Sequence, residues 1–137
     1  MRILFIDPKG DQGGINVGLA YLAGSLKREG FLVKVLDCNN FSIKEDDLKK
    51  HVEDFFPDII GISIKTATYF SSIELLKLLR KSYPEIPILA GGPHVTLYPE
   101  EFLQENPQFL AAFIGDAEES IIEFLKSLDE RGEIPET

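Results

Sequence analysis

Residues 57–64 read PDIIGISI and residues 86–94 read IPILAGGPH, with a helical stretch between them. Short apolar runs bounded by proline and glycine mark strands buried on both faces of a parallel sheet. Two such strands joined by one helix form a right-handed crossover unit. The first strand ends at Ser63 and the second in Gly91-Gly92-Pro93-His94. Their carboxyl ends lie side by side, a shelf of small residues and bare backbone on which a large ligand can rest.

The same alternation extends in both directions. ILFID (3–7) is a first buried strand. Asn16 is placed to cap a helix in which Leu19, Leu22, Ala23 and Leu26 share one face, and Gly30 stops it. FLVKVLD (31–37) is a second strand, edge-like because Lys34 interrupts its apolar run. Leu48, Val52 and Phe55 make one face of a second helix ahead of Pro57. Ile73, Leu76 and Leu79 belong to a third, which ends before Pro84. A short helix runs from Pro99 to Leu103, and LAAFIG (110–115) is the fifth strand. The last helix starts near Asp116, with Glu119 as a capping-box partner and Ile121, Phe124, Leu125 and Leu128 as its buried stripe.

Five strands alternating with helices give an α/β fold, a doubly wound five-stranded parallel sheet in the flavodoxin-like (Rossmann-like) order 2-1-3-4-5. Residues 1–130 make one domain, and 131–137 (RGEIPET) read as a linker or a cut end. In such sheets ligands bind beyond the carboxyl ends of the strands, where the strand order reverses. The loops after strands one, three, four and five are therefore the places to look.

Composition removes several classes of function. A net charge of −9 with no basic stripe argues against nucleic acid. No apolar run approaches the ~20 residues of a membrane span, and MRILFID is too short for a signal peptide, so the cytoplasm is the expected compartment. One cysteine, Cys38, excludes an internal disulfide and a cysteine-rich metal site.

Loop one, DPKGDQGGIN (7–16), is glycine-rich but matches neither phosphate-binding glycine fingerprint. Asp7 at its start either caps a turn or faces a ligand. In loop three, SIKTATYFSS (63–72), the hydroxyls of Ser63 and Thr66 suit a ligand bearing amides or phosphate, and Ser72 is the best-placed helix cap. In loop four, GGPHVT (91–96), Gly91 and Gly92 permit close approach of a ligand, and Pro93 stiffens the chain beyond them. His94 has no second histidine or cysteine near it and makes a poor metal site. It suits a hydrogen bond to a neighbouring loop or to the ligand's periphery. His51, on a charged helix, reads as exposed and passive.

GLAYLAGSLKREGFLVKVLD (18–37), PDIIGISI (57–64), ILAGGPHVTLYPEEFL (88–103) and FIGDAEESIIEFL (113–125) together resemble the N-terminal cobalamin-binding domain of B12-dependent radical S-adenosylmethionine enzymes. The resemblance spans nearly the whole chain. It implies cobalamin across the carboxyl edge of the sheet, with its nucleotide tail between loops one, three and four. Carried over, Ser63 and Thr66 contact the tail or the corrin amides, Gly91, Gly92 and Pro93 flank the tail, and Gly115 and Glu118 border the pocket. Two departures stand out. Many B12 modules carry D-x-H-x-x-G after the first strand, with the histidine on cobalt; here Lys9 takes that place, which implies binding without a protein ligand to the metal. The family's frequent G-E-G-E reads Gly115-Asp116-Ala117-Glu118.

The resemblance further implies a partner, a C-terminal radical S-adenosylmethionine domain carrying the 4Fe–4S cluster and S-adenosylmethionine. That core needs C-x-x-x-C-x-x-C, and Cys38 alone cannot supply it. The expected role is therefore to position the corrinoid for a methyltransferase or cyclase, without catalysis by this chain alone. The alternative is a flavodoxin-like regulatory or protein-interaction domain without cofactor. A phosphoacceptor version of it is disfavoured by Ser63 standing where an aspartate would be needed.

Overall fold

The computed structural model describes residues 1–10 and 13–131; Asp11 and Gln12 of loop one and the tail 132–137 lie outside the described residues. Strands β1 (Arg2–Asp7), β2 (Leu32–Asp37), β3 (Ile59–Ser63), β4 (Ile88–Gly91) and β5 (Ala111–Ala112) form one parallel sheet in the order β2-β1-β3-β4-β5. Helices α1 (Val17–Arg28) and α6 (Glu118–Arg131) cover one face. Helices α2 (Glu45–Phe55), α3 (Tyr69–Ser82), α4 (Pro93–Leu97) and α5 (Pro99–Glu105) cover the other. The expected fold class and strand order are those observed.

Successive residues of a strand point to opposite faces. Toward α2–α5 the sheet presents Leu4 and Ile6, then Ile60, Ile62 and Ile64, then Ile88 and Ala90, all buried with Val95 and Phe102. Toward α1 and α6 it presents Ile3 and Phe5, Ile59, and Leu89, packed on Leu19, Leu26, Ile121, Phe124 and Leu125. On this second face bulk falls away along each strand. After Ile59 come Gly61 and Ser63, and after Leu89 comes Gly91. The register sets Gly61 beside Phe5 and Leu89, and Ser63 beside Gly91.

Four local differences from the sequence expectations have physical causes. The fifth strand is only Ala111–Ala112, although the backbone N–H of Phe113 still donates to Ala90 (2.9 Å) before the chain turns away. GGPHVT is not an open loop: Pro93 stands at the first position of α4, where its missing N–H costs nothing. Ser72 is no cap. It lies inside α3, fully buried, and its hydroxyl donates back to the Thr68 carbonyl at 2.7 Å. The last helix begins at Glu118, and its first turn closes with Ile121 N–H donating to the Ala117 carbonyl, one residue later than an Asp116 cap requires.

His51 is half-buried rather than exposed, and its Nδ1 lies 3.0 Å from Lys34 Nζ. The ammonium has only hydrogens to give, so the ring nitrogen accepts. Lys34 thereby blunts the β2 edge while tied to α2.

Candidate functional site

The loss of bulk on the α1/α6 face leaves a cleft of about 380 Å³ at the carboxyl ends of the strands. That is within the range of small-molecule sites, roughly 300–1,000 Å³. Its floor is Phe5, Gly61, Ser63, Leu89 and Gly91. Leu19 and Leu22 of α1 wall one side, and Phe113 and Ile121 the other. The rim carries the polar groups Asn16, Thr96, Asp116 and Glu118.

The two glycines of loop four do different things. Gly92 has φ +106°, and a Cβ there would sit 2.6 Å from the Ile64 carbonyl oxygen. Backbone contacts explain the squeeze: Ile64 N–H donates to Gly91 O at 2.7 Å, and His94 N–H donates to Ile64 O at 3.1 Å. Gly92 is therefore required by the chain crossing itself. Gly91 is free of that constraint. A Cβ on it meets only the Phe113 carbonyl, at 3.9 Å, and would project into the cleft. Gly61 has a third reason, since a Cβ there would strike the Phe5 ring at 2.6 Å.

Asn16 organises the polar end. Its Oδ1 accepts from Leu19 N–H at 3.0 Å and caps α1. Its Nδ2 donates to Ser63 Oγ at 3.0 Å and to Asp7 Oδ1 at 3.3 Å. Asp7 is buried behind it, away from the cleft wall. Burial pushes its carboxyl above the ordinary 3.8, and the Asn16 hydrogen bond and the Lys65 charge restore only part of the difference. Asp37 behaves oppositely. Burial raises it, but hydrogen bonds from the Asn40 side chain and backbone and from the Asn39 backbone outweigh that and hold it below 3.8. Burial, with Asp37 and Asp7 nearby, pushes the Cys38 thiol up to about 11, which leaves it unreactive at neutral pH.

Thr66 and His94 lie outside the cleft wall. Thr66 Oγ1 and His94 Nδ1 are 3.1 Å apart. The imidazole packs on Tyr69 (4.8 Å between centroids), Tyr98 and Phe102, so this pair stitches loop three to loop four on the α2–α5 face. Thus Ser63, Gly91, Gly92, Pro93, Gly115 and Glu118 come together around one cavity, while Asp7 approaches it only through Asn16.

Three polar residues of the cleft, Asn16, Thr96 and Asp116, escaped the sequence reading as ligand-facing groups. Asn16 was legible only as a cap. Thr96 stands one helical turn after Gly92, donates to the Gly92 carbonyl at 3.0 Å and accepts from Gly115 N–H at 2.9 Å, clamping loops four and five. A threonine four residues after a helix-starting glycine was the available signal for it. Among the described residues no group of three or more His, Cys, Asp or Glu could hold a metal ion, and no helix is long and apolar enough to cross a membrane.

A family model described as the B12 binding domain matches residues 3–125. An uncharacterized methyltransferase of Pyrococcus horikoshii is 30% identical over 142 residues, covering 98% of this chain and 31% of that protein. The anaerobic magnesium-protoporphyrin IX monomethyl ester cyclase of Rubrivivax gelatinosus is 28% identical, covering 95% of this chain and 25% of that protein. The chain thus spans a quarter to a third of the length of these relatives. Among solved structures, the cobalamin-dependent S-adenosylmethionine radical enzyme OxsB with aqua-cobalamin and S-adenosylmethionine bound superposes with TM-score 0.78 at 20% identity, over 94% of this chain and 19% of that one; the likeness is one of fold.

Proposed function

The chain belongs to the B12 binding domain family, and on that premise we propose that it holds cobalamin over the carboxyl edge of the sheet with the nucleotide tail in the α1/α6 cleft. The observation that carries this reading is the fall in bulk along β3 and β4. It leaves a space lined by apolar side chains, with Gly91 kept bare and no steric need of its own for glycine. The cleft fits a flat, largely apolar group entering from the rim, and the polar ring of Asn16, Ser63 and Thr96 fits the hydrogen-bonding groups attached to it.

Each element has a part in that task. Phe5, Leu19, Leu22 and Leu89 exclude water from the tail. Ser63 and the backbone at Gly91 to Pro93 border it. Glu118 and Gly115 close the side nearest α6. Lys9 gives no imidazole to cobalt, so the corrinoid is held by shape and hydrogen bonds rather than by metal ligation. When bound, cobalamin supplies cobalt-centred group-transfer chemistry that no side chain of this chain can perform.

The enzyme served would be a radical S-adenosylmethionine methyltransferase or cyclase, in keeping with the relatives' names. One cysteine cannot hold the 4Fe–4S cluster that cleaves S-adenosylmethionine, so that cluster and cofactor would belong to a partnering radical domain. The test is to mix the purified chain with hydroxocobalamin, desalt it and record the visible spectrum. Retained corrin bands in stoichiometric amount are expected. A colourless protein at micromolar concentration would contradict the reading and favour a cofactor-free interaction domain.

A further inference from the structure

The walls of the cleft are not held alike. Helix α1 is capped by Asn16 and buried through Leu19, Ala23 and Leu26. Loop four is pinned where it crosses the Ile64 backbone, by Ile64 N–H on Gly91 O at 2.7 Å and His94 N–H on Ile64 O at 3.1 Å. The remaining wall is the chain after β5. Phe113 is fixed by its N–H on the Ala90 carbonyl and by its ring on Phe124, 5.5 Å between centroids. Ala117 is fixed in turn by accepting from Ile121 N–H in the first turn of α6. Between these two points, among the described residues, 114–116 are tied to the rest of the molecule by a single hydrogen bond, from Gly115 N–H to Thr96 Oγ at 2.9 Å. A backbone N–H can only donate, so the Thr96 hydroxyl hydrogen goes to the Gly92 carbonyl at 3.0 Å. The segment is otherwise bare: Ile114 is 56% exposed, and a Cβ on Gly115 would meet nothing within 4 Å.

We propose that Thr96 is a positioning residue whose hydroxyl latches loop five against loop four, and that release of this latch lets a ligand's tail pass into and out of the cleft. The choice of a corrinoid as that ligand rests on the reading above. Gly115 and Thr96 both line the cleft, so movement of 114–116 widens it directly. A tail pushing past α1 has to disturb buried packing, and one pushing past loop four has to break the Ile64 crossing. Passage beside 114–116 breaks one exposed hydrogen bond, and segments held in that way are the first to open. The latch is closed before and after passage and open during it, so it slows entry and exit alike.

The test times binding rather than its extent. Association of aquocobalamin with the chain is followed by stopped flow, and dissociation by a chase with excess cyanocobalamin. Thr96→Val and Thr96→Ala remove the hydroxyl, and Thr96→Ser keeps it. Circular dichroism reports folding, and amide hydrogen exchange at Gly115 reports the latch without ligand. Removing the hydroxyl should speed association about three- to tenfold, the worth of one hydrogen bond, and dissociation at least as much. Gly115 exchange should rise by a similar factor while that of Phe113 holds. Thr96→Ser should bring both rates and the Gly115 protection back toward wild type. A lost contact with the ligand shows in dissociation alone. Unchanged or slower association in folded Thr96→Val and Thr96→Ala would therefore overturn the latch while the corrinoid reading stands, and so would unchanged Gly115 exchange. A wild-type chain that takes up no corrinoid would overturn the corrinoid reading and the passage claim with it.

Discussion

The two faces of the sheet are built from the same strands and differ in one respect: how bulk is distributed toward the carboxyl ends. On the α2–α5 face Ile60 and Ile62 fill β3, Ile64 continues the series just past its end, and Val95 and Phe102 lie in the same buried cluster. On the α1/α6 face the alternate residues shrink from Ile59 to Gly61 to Ser63 and from Leu89 to Gly91. One face spends its apolar residues on packing, and the other gives some packing up to keep a cavity. A hydrophobic core therefore need not be symmetrical to be stable, and the asymmetry tells which side of a doubly wound sheet is available to a ligand.

The largest expected effect comes from attacking the filled face. Phe102→Ala removes a ring that is 1% exposed and packed on Phe109, His94 and Tyr69, and should cost about 3–5 kcal/mol in urea unfolding. A loss below about 1 kcal/mol would mean that this face is as loosely packed as the other.

The two glycines of loop four sharpen the comparison. Gly92→Ala should destabilise by about 1–3 kcal/mol, because positive φ and the Ile64 backbone both oppose a side chain. Gly91→Val should leave the unfolding free energy within about 1 kcal/mol of wild type, since its Cβ meets only the Phe113 carbonyl at 3.9 Å. Equal destabilisation by both would remove the distinction between a glycine needed by the backbone and one needed by the cleft. Gly61→Ala lies between them, costing about 1–3 kcal/mol as the Phe5 ring is displaced, and Phe5→Leu in the same chain should recover part of it.

Acidification gives a smaller effect of opposite sign at the ends of β1 and β2. Asp7 has its native value raised, so the folded state holds its proton more tightly. Its contribution to stability grows as pH falls through that value toward 3.8 and is absent in Asp7→Asn. Asp37 has its native value lowered, so its contribution is present above 3.8 and is lost as pH falls through the folded value; Asp37→Asn removes that loss. Unfolding free energies from pH 7 to 3 would show the two variants diverging from wild type in opposite directions. The smallest effect is on the exposed Lys126–Glu29 pair, 2.6 Å apart, where Lys126→Ala should cost no more than about 1 kcal/mol.

Much of the frame was legible because a buried parallel strand needs a continuous apolar run, and DIIGISI, ILFID and IPILAG are such runs. Handedness left few strand orders, and the flavodoxin-like one was the natural choice among them for five units. The shrinking series Ile59, Gly61, Ser63 was also on view, but its meaning was not: period two says that these residues share a face without saying which helices cover it. Gly91 and Gly92 look alike in sequence, and only the approach of Ile64 separates them. His94 read as a loop residue because Pro93 can either stiffen a loop or start a helix. Asn16 read as a cap, which it is, while its other amide atom reaches Ser63 and Asp7 across long stretches of chain that no local pattern records.

The measurement that bears most directly on the cleft is the affinity of Gly91→Val for aquocobalamin beside that of the wild-type chain, with both unfolding midpoints recorded. A valine there should weaken binding by at least about tenfold, some 1.4 kcal/mol, while the midpoint stays close to wild type. Unchanged affinity in a folded Gly91→Val chain would mean that the corrinoid tail does not occupy the α1/α6 side of the sheet.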